Sequence, residues 1–115
     1  MLYVNDVEES SAFWRSIGFV ETQRQEIDGS LIVEIAVTKE SPIKFTLYDL
    51  AFVQQNSPEV NTVPPSILFE ADNIEKLHTK MRELKIKTGE LVLMGNQMIF
   101  NFADNNEYYF AVTSN

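Results

Sequence analysis

The stretch YVNDVEESSAFWRSIGFVE, residues 3–21, decides the fold. It begins as an extended apolar segment and reaches Asp6, whose side chain can accept a hydrogen bond from the free amides of a first helical turn. Glu9 follows three residues later and completes a capping box. The apolar residues after this cap form one broad stripe, and Gly18 is the usual left-handed stop of a helix. The stretch therefore predicts a short strand, a capped helix and the start of a second strand.

The same pattern returns later in the chain. Aligning Val4 with Ala71 brings an Asn/Asp pair onto a second Asn/Asp pair, and the apolar stripe of the first helix onto a second one. Asp72 and Glu75 are predicted to form the capping box of the second copy. Two helices, each preceded by a short strand, are thereby indicated.

Three strand signals follow each predicted helix. They span 19–27, 31–37 and 43–48 in the first copy, and 90–94, 98–102 and 108–113 in the second. The stretch before Ser66 is rich in proline, glutamine and asparagine, has no periodicity, and is predicted to connect the copies. The prediction is a single domain, residues 1–115, with module one at 1–49, a linker at 50–65 and module two at 66–115.

The predicted fold class is α+β, with two tandem βαβββ modules. One such module leaves a face of its sheet bare, so two must pair, within one chain or between chains, to cover it. Two paired curved sheets with their helices on the outer face leave a cup. This cup is the predicted ligand site.

Composition limits the classes of partner and compartment. Nine basic residues against 17 acidic ones give a formal net charge of -8, which argues against nucleic acid and anionic membranes as partners. The sequence has no cysteine, which excludes disulfides and thiolate-bound metals and fits a reducing compartment. Acidic residues near the start and the lack of a long apolar run argue against a signal peptide or membrane span. We therefore expect a cytoplasmic protein. The first strand is short, so either it is short in the fold or the natural chain begins upstream of Met1.

Three segments of the chain resemble the vicinal oxygen chelate superfamily, which includes glyoxalase I, bleomycin resistance proteins, fosfomycin-modifying enzymes and extradiol dioxygenases. They are residues 3–21, FEADNIEKLHTKMRELKI at 69–86, and FADNNEYYFAV at 102–112, the last similar to a closing turn usually written with an Asp-Pro-Asp-Gly-Asn core. Their order and spacing extend the resemblance over nearly the whole chain. It implies a glyoxalase-like fold with a cup and, in the metal-dependent members, His, Gln or Glu ligands that face into it.

The resemblance also indicates which residues stand at the four metal-ligand positions. Three are Thr46, Ser66 and Ala111, and the fourth would lie two places before Met1. Divalent ions in such sites need imidazole or carboxylate ligands, which none of these residues supplies. We therefore expect no metal and no other cofactor. The implied relatives are metal-free binders of the bleomycin resistance type, which sequester a small organic molecule between modules or at a homodimer interface.

Strand alternation selects the residues predicted to line the cup. Glu34 faces away from Val33 and Ile35, and the two fourth strands present their alternate side chains to the same cup. The predicted ligand-binding residues are Glu34, Lys44, Thr46, Tyr48, Ser66 and Tyr109. For the tyrosines the structural alternative is packing across the modules, and for Glu34 it is an edge or interface position. His78, the one histidine, lies near the edge of a helix's buried face and is predicted to have a structural or surface role.

Three functions remain open on the sequence alone. The favoured one is metal-free binding of a small organic molecule. The alternative is a glyoxalase-like lyase or isomerase in which Glu34, or another carboxylate of the cup, transfers a proton. In the third, the cup is filled by its own side chains and the chain is an assembly partner only.

Overall fold

A computed structural model describes residues 1–114, which divide into two compact units. The first unit is Met1–Pro65, and the second begins at Ser66. The assignment of all 115 residues to one domain remains a prediction.

The first unit is a mixed sheet with two helices. Its elements are β1 (Leu2–Val4), α1 (Val7–Ser16), β2 (Val20–Ile27), β3 (Ser30–Ala36), β4 (Phe45–Asp49) and α2 (Leu50–Asn56). The strands lie in the order β1-β4-β3-β2, with β1 parallel to β4 and the other pairs antiparallel.

The second unit repeats this topology. Its elements are β5 (Leu68–Ala71), α3 (Ile74–Glu83), β6 (Val92–Met94), β7 (Gln97–Ala103) and β8 (Tyr109–Ser114). The strand order β5-β8-β7-β6, with β5 parallel to β8, has the same pattern as the first sheet. The predicted α+β class with two βαβββ modules is confirmed.

The helix starts follow from local side-chain chemistry. The Asp6 carboxylate accepts a hydrogen bond from the Glu9 amide at 3.0 Å, as predicted. The predicted box at Asp72 is wrong by one residue, because Asn73 is the N-cap and accepts from the Lys76 amide at 3.2 Å. Asn73 also occupies the place of Asp6 when the two copies are aligned. The repeat was therefore the better guide to this cap.

Helix α2 was not predicted, because its sequence was interpreted as part of the connection. Asp49 caps it by accepting from the Phe52 amide at 2.9 Å, and the helix contacts β4 and β1. It has seven residues, about two turns, which is too short for a 3.6-residue apolar period to be visible. The cap at Asp49 was the available signal.

Each unit has a core between its first helix and one face of its sheet. In the first unit Trp14 is completely buried, with its ring edge-to-face against Phe13 at 5.4 Å and Phe19 at 5.0 Å. In the second unit the buried Phe100, Phe102 and Phe110 lie on the α3 side.

His78 belongs to the second core. Its Nε2 lies 2.9 Å from the carbonyl oxygen of Gly89, and its ring meets Phe100 edge-on at 4.8 Å. These contacts agree with the structural role predicted for it.

No helix within residues 1–114 is long and apolar enough to cross a membrane.

The turn between β7 and β8 is held by one buried carboxylate. Asp104 Oδ1 accepts hydrogen bonds from the amides of Asn106 at 2.8 Å and Tyr108 at 2.9 Å. Glu107 has a φ of 63°, in the left-handed region that favours glycine. It occupies the fourth place of the turn, where the Asp-Pro-Asp-Gly-Asn pattern has Gly. The chain therefore keeps the backbone shape of that turn although it departs from its sequence.

Candidate ligand-binding site

The sheet face opposite α1, in the first unit, carries four of the predicted site residues. Phe45 and Leu47 lie on the α1 side, so Thr46 and Tyr48 lie on the opposite face. Thr46 is paired in register with Glu34, which places both on that face. Lys44, just before β4, reaches the same place with its ammonium group.

Glu34 is the centre of a small polar cluster. The Thr22 hydroxyl donates to its Oε1 at 2.8 Å, and Lys44 Nζ lies 3.5 Å from the same oxygen. The side chains of Lys44 and Glu34 are 40% and 27% exposed. This partly exposed pair is accessible to a ligand from solvent.

An aromatic pair lies on the same face. The rings of Tyr3 and Tyr48 stack with centroids 5.8 Å apart and an angle of 24° between their planes. Tyr3 is nearly buried and Tyr48 is half-buried. Tyr48 was predicted from the sequence and Tyr3 was not, although parallel pairing of the first and fourth strands places Tyr3 beside Tyr48. Tyr48 packs on an aromatic residue of its own unit.

In the second unit, the face opposite α3 is largely apolar and open. An open depression of about 420 Å³ is lined by Leu68, Glu70, Met94, Gln97, Ile99 and Thr113. Leu68 is 60% and Met94 63% exposed, although both are large apolar side chains. Of these residues, Thr113 belongs to the alternate set that strand alternation predicted to line the cup, and the other five were not predicted. Strand β5 is short and strand β7 is mostly apolar, so the sequence offered no reason to distinguish these residues from residues of the core.

The remaining predicted residues, Ser66 and Tyr109, also belong to this unit. Leu68 pairs with Ala111, and the same register continued by two residues places exposed Ser66 alongside Tyr109. Tyr109 is 57% exposed, and Lys87 Nζ lies 5.7 Å from its ring centroid. The structure thus groups the predicted residues as four in one unit and two in the other. That both groups line one cup remains a prediction from the sequence.

Comparison with solved structures identifies the fold. TnmS3, an antibiotic binding protein from Streptomyces sp. CB03234, matches 98% of this chain and 89% of its own at 16% identity, with a TM-score of 0.79. Lactoylglutathione lyase from Agrobacterium tumefaciens matches 98% of this chain and 88% of its own at 18% identity, with a TM-score of 0.71. A bleomycin-binding protein complexed with bleomycin matches 99% of this chain and 93% of its own at 11% identity, with a TM-score of 0.68. The chain has the vicinal oxygen chelate fold. No protein-family model and no curated protein matches its sequence.

The strand registers compare Thr46 and Ala111, two of the positions that the resemblance assigns to metal ligands. Leu2 pairs with Leu47, and Phe69, the counterpart of Leu2, pairs with Val112. Thr46 and Ala111, one residue earlier in each fourth strand, therefore occupy equivalent places, as the sequence alignment proposed.

The residues present do not fit a metal ion at these positions. Thr46 and Ser66 offer only neutral hydroxyls and Ala111 offers no donor, whereas a divalent ion needs several imidazole or carboxylate ligands. Nowhere in the described chain, residues 1–114, do three His, Cys, Asp or Glu side chains meet in a way that could hold a metal ion.

Proposed function

We propose that the chain binds a small organic molecule on the sheet faces opposite α1 and α3, without a protein-bound metal ion. The observation that carries this proposal is the exposed apolar surface of the second unit. Leu68, Met94 and Tyr109 are each more than half exposed on the face opposite α3, and exposed apolar side chains grouped on one face mark a candidate interaction surface. Apolar and aromatic surface with a few polar groups is the usual lining of an organic-ligand site.

In the first unit, the sheet face opposite α1 combines an aromatic pair with a charged pair. Half-buried Tyr48, stacked on the buried ring of Tyr3, offers flat apolar area, and the Glu34–Lys44 pair offers both signs of charge. TnmS3 binds an antibiotic, and the bleomycin-binding protein holds bleomycin; both share this fold. These neighbours support a binding role for the present chain.

The enzymatic alternative, a glyoxalase-like lyase or isomerase, has Glu34 as its candidate base. The Thr22 hydroxyl donates a hydrogen bond to Glu34 Oε1, and Lys44 Nζ forms an ion pair with the same oxygen. These contacts account for the position of Glu34 without a role in proton transfer. We therefore assign Glu34 and Lys44 to ligand recognition.

The absence of cysteine from the whole chain supports a cytoplasmic location.

The test is a thermal-melting screen of metabolites and antibiotics with the purified protein in EDTA. A binder raises the unfolding free energy by RT ln(1 + [L]/Kd), about 2.7 kcal/mol at a ligand concentration of 100 Kd. For a molecule found in this way, we expect Tyr48→Ala and Tyr109→Ala each to weaken binding about tenfold, because each removes aromatic contact area worth about 1 kcal/mol or more.

Thr79→Ala is the matched control, since Thr79 is exposed on helix α3 rather than on the proposed faces. It should leave the affinity unchanged. Circular dichroism checks that the tyrosine variants are folded. Binding that disappears in EDTA would refute the metal-free proposal, and a screen without any stabilising molecule would refute the binding function.

We also propose that the chain forms a homodimer through strand β6. This strand is an edge of its sheet, and its residues Val92, Leu93 and Met94 are 47%, 65% and 63% exposed. Residues 91–103 contain no charged side chain, so a second copy with the same net charge of -8 meets least repulsion there. The corresponding edge strand β2 carries charged residues, which discourage such pairing.

Sedimentation equilibrium checks this interface. The native chain should have twice its mass of 13.2 kDa, and Leu93→Glu should reduce it to 13.2 kDa because a charge on the edge opposes pairing. Gln25→Glu places the same charge on edge strand β2 and should leave the dimer intact. A native chain at 13.2 kDa, or equal effects of the two substitutions, would contradict the proposal.

A further inference from the structure

Positive charge is concentrated in one short part of this acidic chain. Five of the nine basic residues lie between positions 76 and 87, where Glu83 is the only acidic residue. They are Lys76, Lys80, Arg82, Lys85 and Lys87. Within residues 1–114, the basic side chains that form ion pairs are Arg24 and Lys44, both outside this region. These five side chains are therefore not held in ion pairs within the described residues, and their cationic groups can contact a ligand.

Two of these cations border one open depression at the end of helix α3. The depression has a volume of about 400 Å³ and is lined by Arg82, Ile86, Lys87, Thr88, Gly89 and Glu90. Two cationic groups and the Thr88 hydroxyl can donate hydrogen bonds into it. Glu90 is the one carboxylate in the lining, so the cations outnumber it.

The loop that carries these donors is anchored on both sides. The Gly89 carbonyl oxygen accepts a hydrogen bond from His78, and the Gly89 amide donates to the Asn101 carbonyl at 2.8 Å. The Ala103 amide donates to the Lys87 carbonyl at 2.9 Å. A loop anchored in this way has a fixed backbone, so binding has little backbone ordering cost.

Lys87 connects the depression to the proposed ligand surface. Its Nζ lies over the ring of Tyr109, which is paired with Ala103 on the face opposite α3. A hydrogen bond with the Tyr109 hydroxyl, followed by the charges of Tyr109 and Glu107, raises the pKa of the Lys87 ammonium. The group beside the exposed tyrosine ring is thus a cation at neutral pH.

We propose that Arg82, Lys87 and Thr88 form a subsite for an anionic group, a carboxylate, sulfonate or phosphate, on an aromatic ligand whose ring contacts Tyr109. The subsite rests on the proposed ligand-binding function and assigns to it a class of ligand. Charged groups strengthen hydrogen bonds to such anions, and the tyrosine ring supplies stacking area.

Two fluorescent probes test the subsite. 8-Anilinonaphthalene-1-sulfonate and N-phenyl-1-naphthylamine have the same aromatic skeleton, and the first carries a sulfonate. At low salt we expect the sulfonate probe to bind about fivefold more tightly, as one or two exposed ion pairs permit. Lys87→Ala and Arg82→Ala should each weaken it about threefold and leave the neutral probe unchanged, while Tyr109→Ala should weaken both. At 0.5 M salt the preference for the sulfonate should largely disappear.

Lys39→Ala is the matched control, because Lys39 is an exposed lysine in a turn of the first unit. It should affect neither probe. Equal affinities for the two probes, or equal losses for both in Lys87→Ala, would overturn the anion subsite and leave the binding function standing. Failure of both probes to bind, or indifference of both to Tyr109→Ala, would overturn the proposed surface itself.

Discussion

Replacing Trp14 by alanine is expected to lower the free energy of unfolding by about 3–5 kcal/mol. The indole is fully buried, and it contacts Phe13 and Phe19 edge-to-face between helix α1 and the first sheet. Alanine would leave a cavity that a helix tied to a sheet cannot easily close. Since domains of this kind have total stabilities of about 5–15 kcal/mol, the loss is a large fraction of the whole.

Urea denaturation followed by far-ultraviolet circular dichroism measures this loss, because the variant lacks the chain's only tryptophan. Trp14→Phe keeps an aromatic ring in the site and should cost about half as much. Ala12→Ser, at an exposed position of the same helix, should change the stability by less than about 0.5 kcal/mol. A cost below about 1 kcal/mol for Trp14→Ala would show that this core does not hold the first unit together.

The second large effect is expected at Asp104, where alanine should cost about 2–3 kcal/mol. The substitution removes the acceptor of two backbone amides, those of Asn106 and Tyr108, in the turn between β7 and β8. Asp104→Asn keeps an acceptor oxygen at the same place. It should therefore cost at least about 1 kcal/mol less than alanine in the same urea experiment.

The same pair of variants separates the hydrogen bonds of Asp104 from its charge. Burial raises the pKa of this carboxyl above its ordinary value of 3.8, against the opposing effect of its backbone hydrogen bonds. The folded chain then holds the proton more tightly than the unfolded chain. The part of the Asp104 contribution that comes from this tighter proton binding is fully present below the ordinary pKa and is lost as the pH rises through the raised one, whereas its hydrogen bonds to the two amides persist.

Urea midpoints measured from pH 4 to pH 7 test this sign. The difference in stability between the native chain and Asp104→Asn should shift against the native chain as the pH rises, because only the native chain has a carboxyl to ionise at this site. An unchanged difference across the range would mean that folding does not perturb the carboxyl. The opposite slope would mean that its hydrogen bonds outweigh its burial.

Elements with strong local signals were predictable from sequence. The two ten-residue helices repeat an apolar stripe and begin at side-chain caps, and the strands after them alternate between turn signals. The cap at Asn73 and helix α2 were missed, because the first differs from Asp72 by one residue and the second is only two turns long. The fold itself depends on none of these details.

The face on which a candidate site residue lies was predictable only for residues within a strand. Alternation along β3 and β4 placed Glu34, Thr46 and Tyr48 on one face, because side chains of a strand point to opposite faces in turn. Lys87 was not predicted, because it lies outside any strand. It is brought to Tyr109 by Ala103, whose amide donates to the Lys87 carbonyl and which is paired with Tyr109 in the sheet. No local pattern marks such a residue.

The sequence by itself determined the repeated order of strands and helices, the Asp6 cap of the first helix, and the neutral side chains at the positions that the resemblance assigns to metal ligands. These properties depend on neighbours along the chain or on residue type alone. Tertiary structure decided which side chains meet: Tyr3 with Tyr48, Lys44 with Glu34, and Lys87 with Tyr109. The physical reason is that backbone hydrogen bonds between segments distant in sequence bring these residues together, and for those within strands a shift by one residue would turn the side chain to the other face.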